Sequence, residues 1–175
     1  MNDLTPGTWT LDATHTSASF TVRHAGISKV RGQFTDVEGS LVVAEGGDLA
    51  FTATLKTASI DTANSDRDNH LRSGDFFDAE THPEITFRST GHQGDTLTGE
   101  LTISGVTKPV ELDFTYEGAA TDPFGIYRAG FTAATKISRK DFGLTWNAAL
   151  EAGGVLVSDE VKISIEAEFT APTSA

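Results

Sequence analysis

The sequence predicts an all-β fold, closed into an antiparallel barrel around an apolar interior. Three observations carry this. Apolar and polar residues alternate with period two along most of the chain, which buries one face of a strand and wets the other. Short Gly-, Asp- and Pro-containing turns punctuate the alternating runs. The first and last runs also keep a polar outer face, and closure is the arrangement that removes exposed edges. The 175 residues suit a single domain over 1–170, with 171–175 as a flexible tail.

The strands follow in order. Trp9 and Leu11 alternate with Thr8, Thr10 and Asp12. Ala18, Phe20, Val22 and His24 share a face, and Ser19, Thr21 and Arg23 share the other. Leu49, Phe51, Ala53 and Leu55 form the next inner row. Leu97, Gly99, Leu101 and Ile103 form another, and so do Val110, Leu112, Phe114 and Tyr116. Tyr127, Ala129, Phe131 and Ala133 repeat the pattern, as do Val161, Ile163, Ile165, Ala167 and Phe169. About eight strands result, near 8–12, 15–25, 29–43, 49–58, 84–90, 96–103, 110–117 and 127–137, with a further run near 155–170. Turns fall at Gly46-Gly47-Asp48, Gly94-Asp95 and Asp122-Pro123-Phe124-Gly125. Residues 104–109 read as a connecting loop, because Pro109 has no amide hydrogen for a central ladder.

Two stretches break the alternation. Within 59–83, Ser65 suits the cap of a short helix near 65–73. Asp66 and Asp68 lie in its first turn, His70 and Arg72 near its end, and Gly74 just beyond. Within 138–154, Asn147 to Leu150 suit one helical turn ended by Gly153-Gly154.

Composition excludes several function classes. The net charge of −12 and the lack of any Lys/Arg run disfavour nucleic acid and anionic headgroups as partners. No stretch reaches the roughly 20 apolar residues of a membrane-spanning helix, so membrane insertion is not expected. With no cysteine there is no disulfide framework and no thiolate metal site. The opening residues lack a basic-then-apolar leader, which predicts a cytoplasmic protein.

Candidate chemistry is sparse. Asp66-Arg67-Asp68-Asn69-His70 is the densest polar run, readable as helix caps and ion pairs or as a proton-transfer or metal group. No H-E-x-x-H or G-x-S-x-G pattern accompanies it. His24 shares its face with Phe20 and Val22, as a core histidine or as a polar contact inside an apolar cavity. His15, His82 and His92 fall at strand ends or turns and are expected on the surface. Arg139 and Asp141 suit an ion pair at the barrel mouth. An eight-stranded barrel is wide enough to be filled by side chains or to hold one small ligand, and the sequence leaves both open.

The ordered motifs resemble the YceI-like family of lipocalin-like, polyisoprenoid-binding proteins. They are Trp9 to Thr16, Phe20 to Gly26, Val30 to Phe34, Ser59 to Asn64, Arg67 to Asp78, His82 to Phe87, Gly99 to Val110 and Ile137 to Gly143. The resemblance covers roughly residues 8–170 and is most specific over 59–78. It implies an eight-stranded antiparallel lipocalin-like barrel, a flanking helix and an elongated apolar tunnel for an isoprenoid, polyprenyl or quinone-like lipid. It also implies a homodimer, and it supplies no catalytic residue.

The expected function is therefore non-enzymatic binding, transport or storage of such an amphiphile, with no metal and no cofactor beyond the lipid. Expected lining residues are Phe20, Val22, Phe34, Phe51, Leu55, Phe76, Phe77, Phe87, Leu101, Leu112, Phe114, Phe131, Phe142 and Trp146. Arg67, Asp68, His70 and Leu71 join them from the helix, and His24 or Arg139 would hold the head group. Two rivals remain at this level. One is a lipid-modifying enzyme using His24 with Asp68 or His70, which requires those groups to converge. The other is a filled structural barrel without a ligand.

Overall fold

Residues 1–173 are described by a computed structural model; residues 174–175, the end of the expected tail, lie outside the described residues. The sheet contains β1 (Gly7–Leu11), β2 (Ser17–His24), β3 (Ser28–Phe34), β4 (Val37–Val43), β5 (Leu49–Lys56) and β6 (Ile60–Asp61). It continues through β7 (Glu84–Gln93), β8 (Thr96–Ile103), β9 (Val106–Thr121), β10 (Tyr127–Ser138) and β11 (Glu160–Thr170). One α-helix, α1 (Ser65–Arg72), lies between β6 and β7.

These segments make eight antiparallel walls, because three walls are bent strands. Both β1 and β2 pair with β11, at Leu11 with Phe169 and at Ser17 with Glu166. Between them the chain makes a 3₁₀ turn, Ala13–His15, where the Asp12 carboxylate accepts the Thr14 amide. β4 pairs with β1 and β3 with β2; β5 then pairs with β4 and β6 with β3. The runs expected as two strands, 8–12 and 15–25, are thus one wall, which is how the extra run is absorbed. The sheet continues through β7, β8, β9, β10 and β11 and closes where Thr10 meets Thr170.

Other boundaries move for local reasons. The expected 104–109 loop shrinks to Ser104 and Gly105, both at positive φ (50° and 76°), a two-residue hairpin of the twist-compatible kind. Pro109 stands in the β8–β9 ladder opposite Glu100. It is tolerated because β10 pairs with β9 only from Asp113 onward, leaving the other edge at Pro109 without a ladder partner. Residues 147–150 are not helical. The turn lies earlier, as a 3₁₀ segment Arg139–Phe142 ended by Gly143 at φ 78°. Asn64, not Ser65, caps α1, its side chain accepting the Arg67 amide at 2.9 Å. Before the chain leaves the described residues, the Ala171 amide donates to the Tyr127 carbonyl.

The interior has two packed clusters. The larger gathers Trp9, Leu41, Leu97, Phe51, Phe114, Phe131 and Phe169 near the β4–β5, β7–β8 and β9–β10 turns. The smaller joins Ile85, Leu101 and Ile103 to Phe142 and Leu144, anchoring the segment after β10 on the barrel wall.

Candidate functional site

Antiparallel connection puts the β2–β3 turn, α1 and the 139–159 segment together at the end opposite the larger cluster. A cavity of about 430 Å³ runs inward from this end. Its floor is the aromatic cluster, where Phe51 meets Phe114, Phe131 and Phe169 at ring separations of 5.5, 5.3 and 5.8 Å. Its walls are inward rows of β2, β3, β5, β10 and β11, including Phe20, Val22, Phe34, Leu55, Ile163 and Ile165. These wall residues are only half-buried, because their inner faces line space rather than other side chains. Two glycines make room: the Phe20 ring covers Gly32 and the Phe87 ring covers Gly99, where a Cβ would collide with the ring.

The structure brings most of the expected site residues to this cavity. Phe87, Leu101 and Leu112 reach it from β7, β8 and β9, and Leu71, Phe76, Phe77 and Trp146 reach it at the mouth. Asp68 and Phe142 do not line it. The Asp68 carboxylate turns back to accept from the Thr62 amide (2.9 Å) and hydroxyl (2.6 Å), tying α1 to the chain before it. Phe142 packs with Ile85 and Ile103, and so anchors the mouth segment rather than facing a ligand.

α1 has one aliphatic residue, Leu71, so polar ties rather than an apolar face hold it in place. Arg72 donates to the carbonyls of Ala58 and Ile60, and Arg67 to the Thr62 hydroxyl (2.7 Å) and carbonyl. The His70 ring stands edge-on to Trp146 at 4.7 Å and Phe76 at 5.1 Å, and its Nε2 pairs with Asp75 at 2.8 Å. This aromatic group joins the helix side of the mouth to the 139–159 segment.

Arg139 has a different role from the expected ion pair with Asp141. It is buried and donates to four backbone carbonyls, those of Leu144, Trp146, Val157 and Ser158. Burial pushes its guanidinium below the ordinary value, and Asp159 nearby works against that shift. Asn147 adds its own bonds to both the amide and the carbonyl of Val157. Arg139 is therefore a staple that shapes the mouth segment, with its donors spent on backbone. His24, exposed at the rim, has no side-chain hydrogen bond among the described residues, and the exposed Arg67 also borders the cavity. Exposed Arg23 lines the mouth as well, and Arg67 has its Nε and Nη2 committed to Thr62.

The other histidines are placed as follows. His82 and His92 are half-buried; the His92 ring stands edge-on to Phe114 at 5.0 Å and pairs with the Gly94 carbonyl. His15 is exposed and belongs to an ion network at the far end, which sequence reading missed. There Arg128 joins Asp12 (2.6 Å), Asp122 (2.7 Å) and Glu168 (2.8 Å). Hydrogen bonds from Thr14, His15 and Arg128 hold the Asp12 carboxyl well below the usual range. Asp12, His15 and Glu168 could present ligand atoms to a metal, but the Arg128 guanidinium already occupies the charge among them.

A closed eight-walled barrel with one apolar cavity and polar groups at its mouth defines the class of lipocalin-like, binding-type barrels. The model of the YceI-like domain matches residues 9–169, and the chain belongs to the YceI-like family. UPF0312 protein SA2479 of Staphylococcus aureus is 36% identical over 167 residues, spanning 93% of this chain and 96% of that protein. The YCEI protein of Campylobacter jejuni superposes with a TM-score of 0.73 at 32% identity, over 86% of this chain and 90% of its own. A polyisoprenoid binding domain from Saccharophagus degradans shares the fold, with a TM-score of 0.74 at 14% identity, over 94% of this chain and 98% of that one.

Proposed function

We propose that this protein binds an isoprenoid lipid, polyprenyl or quinone-like, and carries or stores it without altering it. The observation that carries the reading is the cavity: apolar from its aromatic floor upward, with His24 and Arg67 at the mouth. Its volume of about 430 Å³ falls within the ~300–1,000 Å³ of small-molecule pockets. Each methylene buried contributes ~0.8 kcal/mol, so an apolar chain supplies affinity without directional contacts. Two or three isoprene units, after ordering and association costs, would reach about micromolar affinity or tighter. The fold shared with a polyisoprenoid binding domain supports this choice of chain.

The enzyme reading has less support. Asp68 is engaged by Thr62 and His70 by Asp75, so neither is paired with His24 as a catalytic group would be. The test is native mass spectrometry of gently purified protein, then solvent extraction and lipid analysis. A stoichiometric isoprenoid is expected. A protein that stays ligand-free after incubation with polyprenols and quinones would overturn the reading. His24→Ala should change head-group selectivity and leave chain-length preference unaltered.

A further inference from the structure

Cross-strand pairing assembles a basic surface that the linear sequence conceals. On the outer face, Lys136 of β10 stands opposite Lys162 of β11, Lys162 opposite Thr21 of β2, and Thr21 opposite Arg31 of β3. One step closer to the mouth, Arg23 stands opposite Lys29. All five cations are exposed, and none makes an ion pair among the described residues. Glu160 is the nearest carboxylate on β11, two residues from Lys162. Lys136 with Lys162 and Arg23 with Lys29 are like charges directly opposite each other, a destabilising arrangement in an isolated sheet. In a chain of net charge −12 this local concentration of positive charge stands out.

The basic wall runs into the cavity mouth. Arg23 and Lys29 flank the β2–β3 turn, whose Ala25 amide donates to the Leu156 carbonyl of the mouth segment at 2.7 Å. At that rim two aliphatic side chains face solvent, Ile27 at 84% exposure and Val155 at 51%. Cations beside exposed apolar tips at the opening of an apolar cavity match a bilayer surface, with anionic headgroups over shallow hydrocarbon.

We propose that the outer face of β10–β11–β2–β3 docks on an anionic lipid bilayer and sets the cavity mouth against it. The proposal rests on the lipid-binding reading in placing the mouth at the source of the ligand. Each Lys or Arg near such a surface changes partitioning roughly fivefold. Neutralising three of them in Arg31→Gln/Lys136→Gln/Lys162→Gln should weaken binding roughly a hundredfold. None of the three lines the cavity.

The test is flotation of the full chain with vesicles of equal parts phosphatidylcholine and phosphatidylglycerol, and with vesicles of phosphatidylcholine alone. Salt-sensitive binding to the anionic vesicles only is expected, lost in the triple variant. It should be kept in Lys56→Gln/Arg88→Gln, which removes paired cations from other walls. Equal binding to neutral vesicles, no binding, or an unaffected triple variant would overturn the proposal. So would tighter binding to a single-stranded oligonucleotide than to the vesicles. Native mass spectrometry of the triple variant separates the two readings. Retained isoprenoid with lost flotation supports docking as a separate step. Flotation of a protein that never takes up lipid leaves docking standing and removes the carrier reading.

Discussion

At the turn end of the barrel, Phe114 and Phe131 stack at 5.5 Å, Phe131 and Phe169 meet at 5.9 Å, and Trp9 is fully buried. At the mouth end, inward residues of the same chemical kind, such as Phe20, Val22, Ile163 and Ile165, face a cavity and stay half-buried. Alternation is equally regular at both ends, so hydrophobicity alone does not decide which end fills. What differs is how the rings meet: at the mouth end Phe20, Phe34 and Phe77 form a chain, at 5.8 and 5.9 Å, rather than one cluster. Four walls send aromatic residues to one level at the turn end, whereas the mouth-end walls of β11 and β2 send aliphatic side chains and one ring, Phe20, which lies over Gly32. Packing at the first end contributes stability; space at the second leaves room for function.

The largest effect of a single substitution is expected at the filled end. Phe131→Ala should cost about 3–5 kcal/mol, the usual range for a ring removed from a packed core. Phe20→Ala at the hollow end should cost less than ~2 kcal/mol, because its ring already borders open space. Urea unfolding of the two variants compares them directly, and equal losses would show that the mouth end is also a packed core. Arg139→Met should cost about 3 kcal/mol, since four carbonyls, one buried and three partly buried, lose a charged donor. Hydrogen exchange should then quicken across 144–158 while β8 and β9 remain protected.

A bound isoprenoid sharpens the contrast from the other side. At a free concentration of 100 Kd it should raise stability by ~2.7 kcal/mol in wild type. Val22→Trp, which narrows the cavity, should abolish that increment with little change in the unliganded protein.

The smallest effect belongs to the ion network at the filled end. The Asp12 and Asp122 carboxyls are held below the usual range, Asp12 by Thr14, His15 and Arg128, and Asp122 first by Arg128. A pKa lower in the folded state gives stability that is fully present above the unfolded carboxylate value of about 4 and is lost as pH falls below it. The urea midpoint of wild type should therefore drop as pH falls below about 4. Arg128→Gln should show a shallower drop and little difference in ligand uptake.

Period-two alternation already located the walls, because a strand with one buried face must write that face into every second residue. The capped, charge-ordered run at 64–72 located the helix for the same local reason, even though the capping residue proved to be Asn64. Features made by residues distant in sequence were illegible. Arg128 meets an aspartate 116 positions away, and Lys136 meets Lys162 only through the β10–β11 register. Asp68 and Phe142 carried the right chemistry for a site, but their side chains turn to Thr62 and to the Ile85 cluster.

By itself, then, the sequence determined an all-β barrel with an apolar interior, its turns and its flanking helix, since each depends on spacing and on residues near in the chain. Only the tertiary structure decided that the interior is filled at one end and hollow at the other, that Arg139 staples the mouth, and that scattered cations share one wall. Those outcomes depend on how rings from different walls meet and on which residues the ladder sets side by side, and neither is encoded in local periodicity.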